Sequence, residues 1–191
     1  MAQAPLTLRR WSRVEYQRLV DDGVFAREPI ELIGGQLFVA EPQGAYHASL
    51  VGCVGDALRV VLPPGWIVRI QAPLALDEES APEPDVAVVR GAHEDYRHAH
   101  PTQPVLVVEV AESSLTFDRH AKGSLYARAR VPDYWIVNAT AGVLEVYRDP
   151  MPDPGSPYAW RYASVTRWSR SERVTLLALP DASVPVAALL R

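Results

Sequence analysis

The chain has 191 residues, 48% apolar and 22% charged, with a formal net charge of −4. That balance suits one globular domain with a substantial core and excludes a disordered chain. The acidic charge also argues against an indiscriminate polyanion binder, because phosphate contacts supply most non-specific nucleic-acid affinity. Cys53 is the only cysteine, so an intrachain disulfide and a cysteine zinc cluster are excluded. Residues 1–10 lack the apolar stretch of a signal peptide and no apolar run reaches bilayer-spanning length, so the expectation is a cytoplasmic protein without membrane contact.

In chain order, Ser12 and Glu15 spell a capping box and Gly23 a stop, which predicts a helix over 13–22. Gly34-Gly35 between Ile30-Glu31-Leu32-Ile33 and Gln36-Leu37-Phe38-Val39 predicts a tight hairpin and places Glu31 on a strand. From 45 to 62, Leu50, Val51, Val54, Leu58, Val61 and Leu62 recur at three and four, an amphipathic helix closed by Pro63-Pro64-Gly65. His47, in its first turn, faces either a site or, more simply, solvent.

Strands are expected at 66–70 and 74–76, followed by an acidic turn at 77–82 that delivers the chain to a strand over 85–89, opening with Asp85. The polar excursion over 90–103 is longer than a hairpin requires and reads equally as a substrate-facing loop or as a loop without a role. The run from Pro104 to Ala111 is short, β-branched and apolar, as a strand buried on both faces reads. It carries Glu109, and a carboxylate at that depth is costly unless paired or bound to a metal. A helix is predicted over 118–130, with Asp118, Lys122 and Tyr126 spaced at four on one stripe. Beyond it come strands at 134–137 and 144–147, a proline-rich loop at 151–157, a strand at 158–164 and an apolar, proline-interrupted tail. This order predicts an α/β fold, a mixed β-sheet flanked by helices, with its core over about 11–150.

Two carboxylates on neighbouring strands and a lysine on the next helix are the parts of a metal-dependent phosphodiester site. Magnesium takes oxygen ligands, needs one or two protein carboxylates and keeps positions for water and phosphate. Asp85, Glu109 and the backbone carbonyl of Val110 can supply those ligands, Lys122 can orient water or steady transition-state charge, and Glu31 can complete the set. Each residue also has an ordinary explanation. Asp85 can be a turn former after Pro84, Glu109 an ion-pair partner of Lys122 or an arginine, Lys122 a solvated helix residue and Glu31 an edge-strand charge. For a local basic surface the candidates are Arg119, His120, Lys122, Arg128 and Arg130, with a looser set at Arg161, Arg167, Arg170 and Arg173 that reads as solvated charge.

The segments Glu83-Pro84-Asp85-Val86-Ala87-Val88-Val89, Val107-Val108-Glu109-Val110-Ala111-Glu112-Ser113-Ser114, and Lys122 through Tyr126 to Val131-Pro132-Asp133-Tyr134-Trp135-Ile136-Val137 resemble the bacterial putative restriction endonuclease family of the PD-(D/E)XK nuclease superfamily. The likeness runs from about Trp11 to Pro150 and includes the acidic hairpin Glu31-Leu32-Ile33-Gly34-Gly35-Gln36. It implies a restriction-endonuclease-like fold and an endonuclease that cleaves DNA with Mg2+ or Mn2+. In that family Asp85 and Glu109 would be metal ligands, Lys122 the catalytic lysine, Glu31 the additional acid and Tyr126 the tyrosine beside the lysine. Ala111 stands where the superfamily expects a lysine two residues after the glutamate, so Lys122 would reach in from the next helix. A homodimer is implied as well, since cutting both strands calls for two sites. The other reading is a non-catalytic version of the fold that binds DNA or a protein.

Overall fold

The computed structural model describes residues 7–39 and 43–191; residues 1–6, which belong to the N-terminal stretch expected to carry no signal peptide, and 40–42 lie outside it. Helix α1 (Arg13–Asp21) starts with the predicted box: Glu15 N–H donates to Ser12 Oγ at 3.2 Å and Ser12 N–H to the Glu15 carboxylate at 3.0 Å. β1 (Ile30–Ile33) and β2 (Gln36–Val39) form the predicted hairpin. Its two turn residues, Gly34 and Gly35, both have positive φ, 56° and 77°, as a two-residue turn matched to strand twist requires. α2 follows (Ala45–Val61).

Six strands form the main sheet in the order β3 (Trp66–Ile70), β4 (Val86–Arg90), β5 (Leu106–Ala111), β6 (Asp133–Asn138), β7 (Val143–Pro152) and β8 (Trp160–Trp168). All neighbours are antiparallel except β5 and β6. A parallel pair cannot be closed by a turn, and here the crossover is helical. It comprises α3 (Leu115–Phe117), a π-helical turn (Asp118–Lys122) and α4 (Gly123–Arg128).

Alternation along β5 divides the core. Leu106, Val108 and Val110 pack toward α2 with Leu50, Val54 and Leu58, whereas Val107 and Ala111 face the other way, toward Tyr126 and Ala127 of α4. All three α2 side chains are fully buried, each contributing about 1.5–3 kcal/mol of burial free energy. The second face is aromatic, with Tyr134 at 5.0 Å from Tyr126 and 5.5 Å from Tyr147 between ring centroids.

Four expectations are corrected. Residues 74–76 form no strand, because their N–H groups go to Pro82, Pro101 and Ser80 carbonyls, which are loop bonds. The proline-rich stretch opens as strand: β7 continues to Pro152, with Pro150 opposite Tyr162 and Pro152 opposite Trp160. Those prolines lie past the last β6 pair, Asp133 with Arg148, where β7 has a neighbour on one side and a missing N–H breaks no ladder. The tail is ordered as the hairpin β9 (Arg173–Leu176) and β10 (Leu179–Pro185) and the short α5 (Val186–Leu189), which bury Val174, Val184 and Leu189 beneath α2. The predicted helix over 118–130 begins earlier and contains the π turn, in which Gly123 N–H bonds to Asp118 O. A Cβ at Gly123 would sit 3.2 Å from that same oxygen, and the Tyr134 hydroxyl also donates to it at 3.0 Å.

Candidate active site

β4 and β5 pair with Val86 opposite Val108, so one step further the register sets Asp85 opposite Glu109. Directly opposed residues of antiparallel strands project to one face with Cβ atoms about 4.5–5.5 Å apart. The two acids are joined through the backbone as well: Asp85 N–H donates to Glu109 Oε2 at 3.3 Å, and Val110 N–H to Asp85 Oδ2 at 2.8 Å. The N–H and C=O of a strand residue point to the same edge, so the Val110 carbonyl also faces Asp85, beyond the end of the β4–β5 ladder.

The crossover helix brings the cation. Lys122 Nζ lies 3.0 Å from Glu109 Oε1 and 3.5 Å from Glu31 Oε2, and the Tyr126 hydroxyl donates to the same Glu109 oxygen at 2.7 Å. Lys122 is the only lysine in the chain, and it is 8% exposed. The π turn sits between Asp118 and Lys122 where the wall of the site is built, a place such bulges often occupy. Glu31 arrives from β1, docked by Ala81 N–H on Leu32 O at 2.7 Å and by Glu83 N–H on its own Oε2 at 3.0 Å.

These groups line an open cavity of about 530 Å³, with Glu83, Glu112, Ser114 and Asp118 also on its wall. Six carboxylates therefore face one lysine and one histidine. Burial pushes the Glu109 carboxyl up to about 8, against the pull of Lys122 and with the neighbouring acids adding to the rise. Burial likewise raises Asp118 and Glu83. Asp85 differs: burial pushes it up, but the His47 hydrogen bond and charge, the Val110 N–H and Lys122 together hold it below the usual range. The Lys122 ammonium is penalised by burial yet is raised overall by Glu109, Glu31 and Asp118, so it stays charged.

Sequence reasoning located Asp85, Glu109, Val110, Lys122, Glu31 and Tyr126, and the fold brings all six together. His47 faces the site and not solvent: its Nε2 is 3.0 Å from Asp85 Oδ1, and that bond raises its own proton affinity. The first turn of α2 passes the end of β4, which periodicity alone cannot place. Gln43 and Gln71 were missed, although both amides approach Asp85 Oδ1, at 3.4 and 3.3 Å. Gln43 stands four residues before His47, a faint signal; Gln71 carries none. The excursion over 90–103 joins the far ends of β4 and β5 and lines no part of the cavity. Of the candidates for a local basic surface, His120, Arg130 and the looser set Arg161, Arg167, Arg170 and Arg173 are exposed, whereas Lys122 is buried in the site and Arg119 and Arg128 carry internal partners. Arg119 pairs with buried Glu145 and Arg128 with Asp77 at 2.7 Å, while in the looser set Arg161 lies 3.6 Å from Asp153, Arg167 lies 4.0 Å from Glu145, and Arg170 and Arg173 donate to the Leu190 and Ser183 carbonyls.

Among the described residues, no three His, Cys, Asp or Glu side chains are grouped as a ready metal site. Magnesium does not need three, since it keeps most of its waters and is held by one or two carboxylates. Two carboxylates and a carbonyl at one strand end, all hard oxygen donors in a cavity with surplus negative charge, fit such an ion.

Among solved structures, that of a putative nuclease from Anabaena variabilis superposes with a TM-score of 0.62 over 84% of this chain and 89% of that one. At 15% identity this likeness bears on the fold alone. No curated protein matches the chain, and among the described residues no helix is long and apolar enough to cross a membrane. The model of the family described as "Putative restriction endonuclease" (Uma2) matches residues 13–187. With nearly the whole length covered, and with the mixed sheet and its flanking helices in place, the chain belongs to the Uma2 putative restriction endonuclease family.

Proposed function

We propose that this protein is a magnesium- or manganese-dependent endonuclease of the PD-(D/E)XK kind that hydrolyses phosphodiester bonds in DNA. The observation that carries this reading is the position of Glu109, a buried carboxylate shared by the Lys122 ammonium and the Asp85 backbone on the wall of an open cavity. Asp85, Glu109 and the Val110 carbonyl are the groups that would hold the cation. The chemistry a divalent ion supplies in such a place is Lewis-acid polarisation of a phosphoryl oxygen and a lowered pKa for water.

The remaining work falls to the chain. Lys122, held between Glu109 and Glu31, presents a fixed ammonium that orients the attacking water and steadies charge accumulating on the phosphorus oxygens. The surrounding Glu109, Glu31 and Asp118 favour its ammonium form, which makes it a donor to that water. Tyr126 fixes the Glu109 carboxylate from within the core. His47 anchors Asp85 from the α2 side. Cutting both strands with one site per chain would call for a homodimer.

The test is cleavage of supercoiled plasmid by purified protein with Mg2+ or Mn2+, with an RNA of matching sequence alongside. Asp85→Ala and Glu109→Ala should abolish cutting, and Lys122→Ala should lower the rate by about a hundredfold or more. Cleavage that persists in the Asp85→Ala and Glu109→Ala proteins would rule the proposal out. Calorimetry with Mn2+ separates it from a non-catalytic DNA- or protein-binding role, which has no use for a cation between those two acids.

A further inference from the structure

Gln71 follows the end of β3 with φ at +44°, in the left-handed region where a Cβ is disfavoured and glycine is the low-cost residue. Its backbone N–H donates to Asp85 O at 3.1 Å. Its side-chain amide then donates to Gln43 Oε1 at 2.5 Å and to Asp85 Oδ1 at 3.3 Å. The same Asp85 oxygen receives Gln43 Nε2 at 3.4 Å and lies 3.0 Å from His47 Nε2, while Val110 N–H takes the other oxygen at 2.8 Å. An ionised carboxylate offers about four lone-pair sites. Four groups from three stretches of chain (43–47, 71 and 110) therefore meet Asp85, three of them on Oδ1 and one on Oδ2, so Oδ2 keeps a lone pair for a cation.

Of the four non-glycine residues with positive φ among the described ones, Gln71 is the one whose side chain reaches a candidate site carboxylate. We propose that Gln71 is a positioning residue for the metal site, fixing, with Gln43, the orientation in which Asp85 presents its carboxylate to the cavity. The inference rests on the reading of Asp85 as a metal ligand. Partners that orient a ligand in this way commonly govern metal affinity by ten- to a hundredfold.

Gln71→Gly separates the two roles of the residue, because it removes the amide while relaxing the backbone. The expected result is an unchanged or higher melting temperature. With it should come Mn2+ binding weaker by about tenfold or more in calorimetry and a lower kcat with the KM for DNA held. Gln71→Asn keeps the amide and tolerates the left-handed backbone but is one methylene short, so it should behave like Gln71→Gly. Gln71→Gly protein that binds Mn2+ and cuts as the wild type does would overturn the inference and leave the nuclease reading intact. So would a loss of melting temperature that accounts for the lost affinity. Wild-type protein that neither binds Mn2+ nor cuts would remove the nuclease reading and this inference with it.

Discussion

Glu109→Gln should make the metal-free protein more stable as pH rises. The Glu109 carboxyl is pushed from its ordinary 4.5 up to about 8 in the folded chain, so between those values the folded state holds a proton that the unfolded state has released. For a group raised in this way, wild-type stability is fully present below about 4.5 and is lost as pH climbs toward 8. At about 1.4 kcal/mol per pH unit the loss approaches about 5 kcal/mol, an upper bound. Glutamine resembles the protonated carboxyl and does not titrate. It still places an NH2 near the Asp85 N–H, which offsets about 1 kcal/mol of the gain. Urea unfolding in chelator from pH 5 to 9 should therefore show the two proteins nearly equal at pH 5 and the variant ahead by several kcal/mol at pH 8.5. Adding Mn2+ should reverse the order, because a cation that binds only the folded wild type stabilises it by mass action. Two stability curves that run parallel across the whole pH range would refute the claim that burial of this charge, and not the packing of its side chain, sets the cost.

Three further outcomes are expected. Since Lys122 is the only lysine, protein labelled with 15N-lysine should give one side-chain signal that keeps ammonium character well above pH 10, and Glu109→Gln should bring its titration down. Burial raises Glu145, but hydrogen bonds from Arg119, Asn138 and Tyr147 outweigh it and bring it down to about 2, so its contribution exists above about 4.5 and is lost as pH falls toward 2. Glu145→Gln should accordingly cost about 3 kcal/mol at pH 7 in urea titration, with the deficit vanishing in acid. Asp133, fully buried, accepts from Arg148 at 2.9 Å, Trp135 Nε1 at 2.8 Å and Leu177 N–H at 2.9 Å, tying the β9–β10 hairpin to the sheet. Asp133→Ala should destabilise the protein by about 3–5 kcal/mol, with hydrogen exchange accelerating first in 173–185; uniform acceleration across the main sheet would show that the tie is not local.

Local chemistry determined the elements whose signal is local. The capping box from Ser12 to Glu15, the Gly34-Gly35 hairpin, the three-and-four spacing of α2 and the β-branched run around Glu109 each act within a turn or two of chain, and each appears where expected. The acids and the lysine were legible as candidates, because a carboxylate inside an apolar strand demands a partner wherever it occurs, but their meeting at one cavity follows from the β4–β5 register and the helical crossover. Tertiary structure decided what depends on distant segments. The side of α2 that His47 takes follows from how that helix crosses the end of β4, and the role of Gln71 follows from a backbone turn that nothing in its neighbours announces. The tail orders because α2 leaves an apolar face for Val174, Val184 and Leu189 to cover, and the arginines beside the site are spent on Glu145 and Asp77, which lie far from them in the chain. Periodicity records which residues are apolar and how often, whereas pairing and coordination are set by which chain segments meet, and that is decided only when the sheet closes.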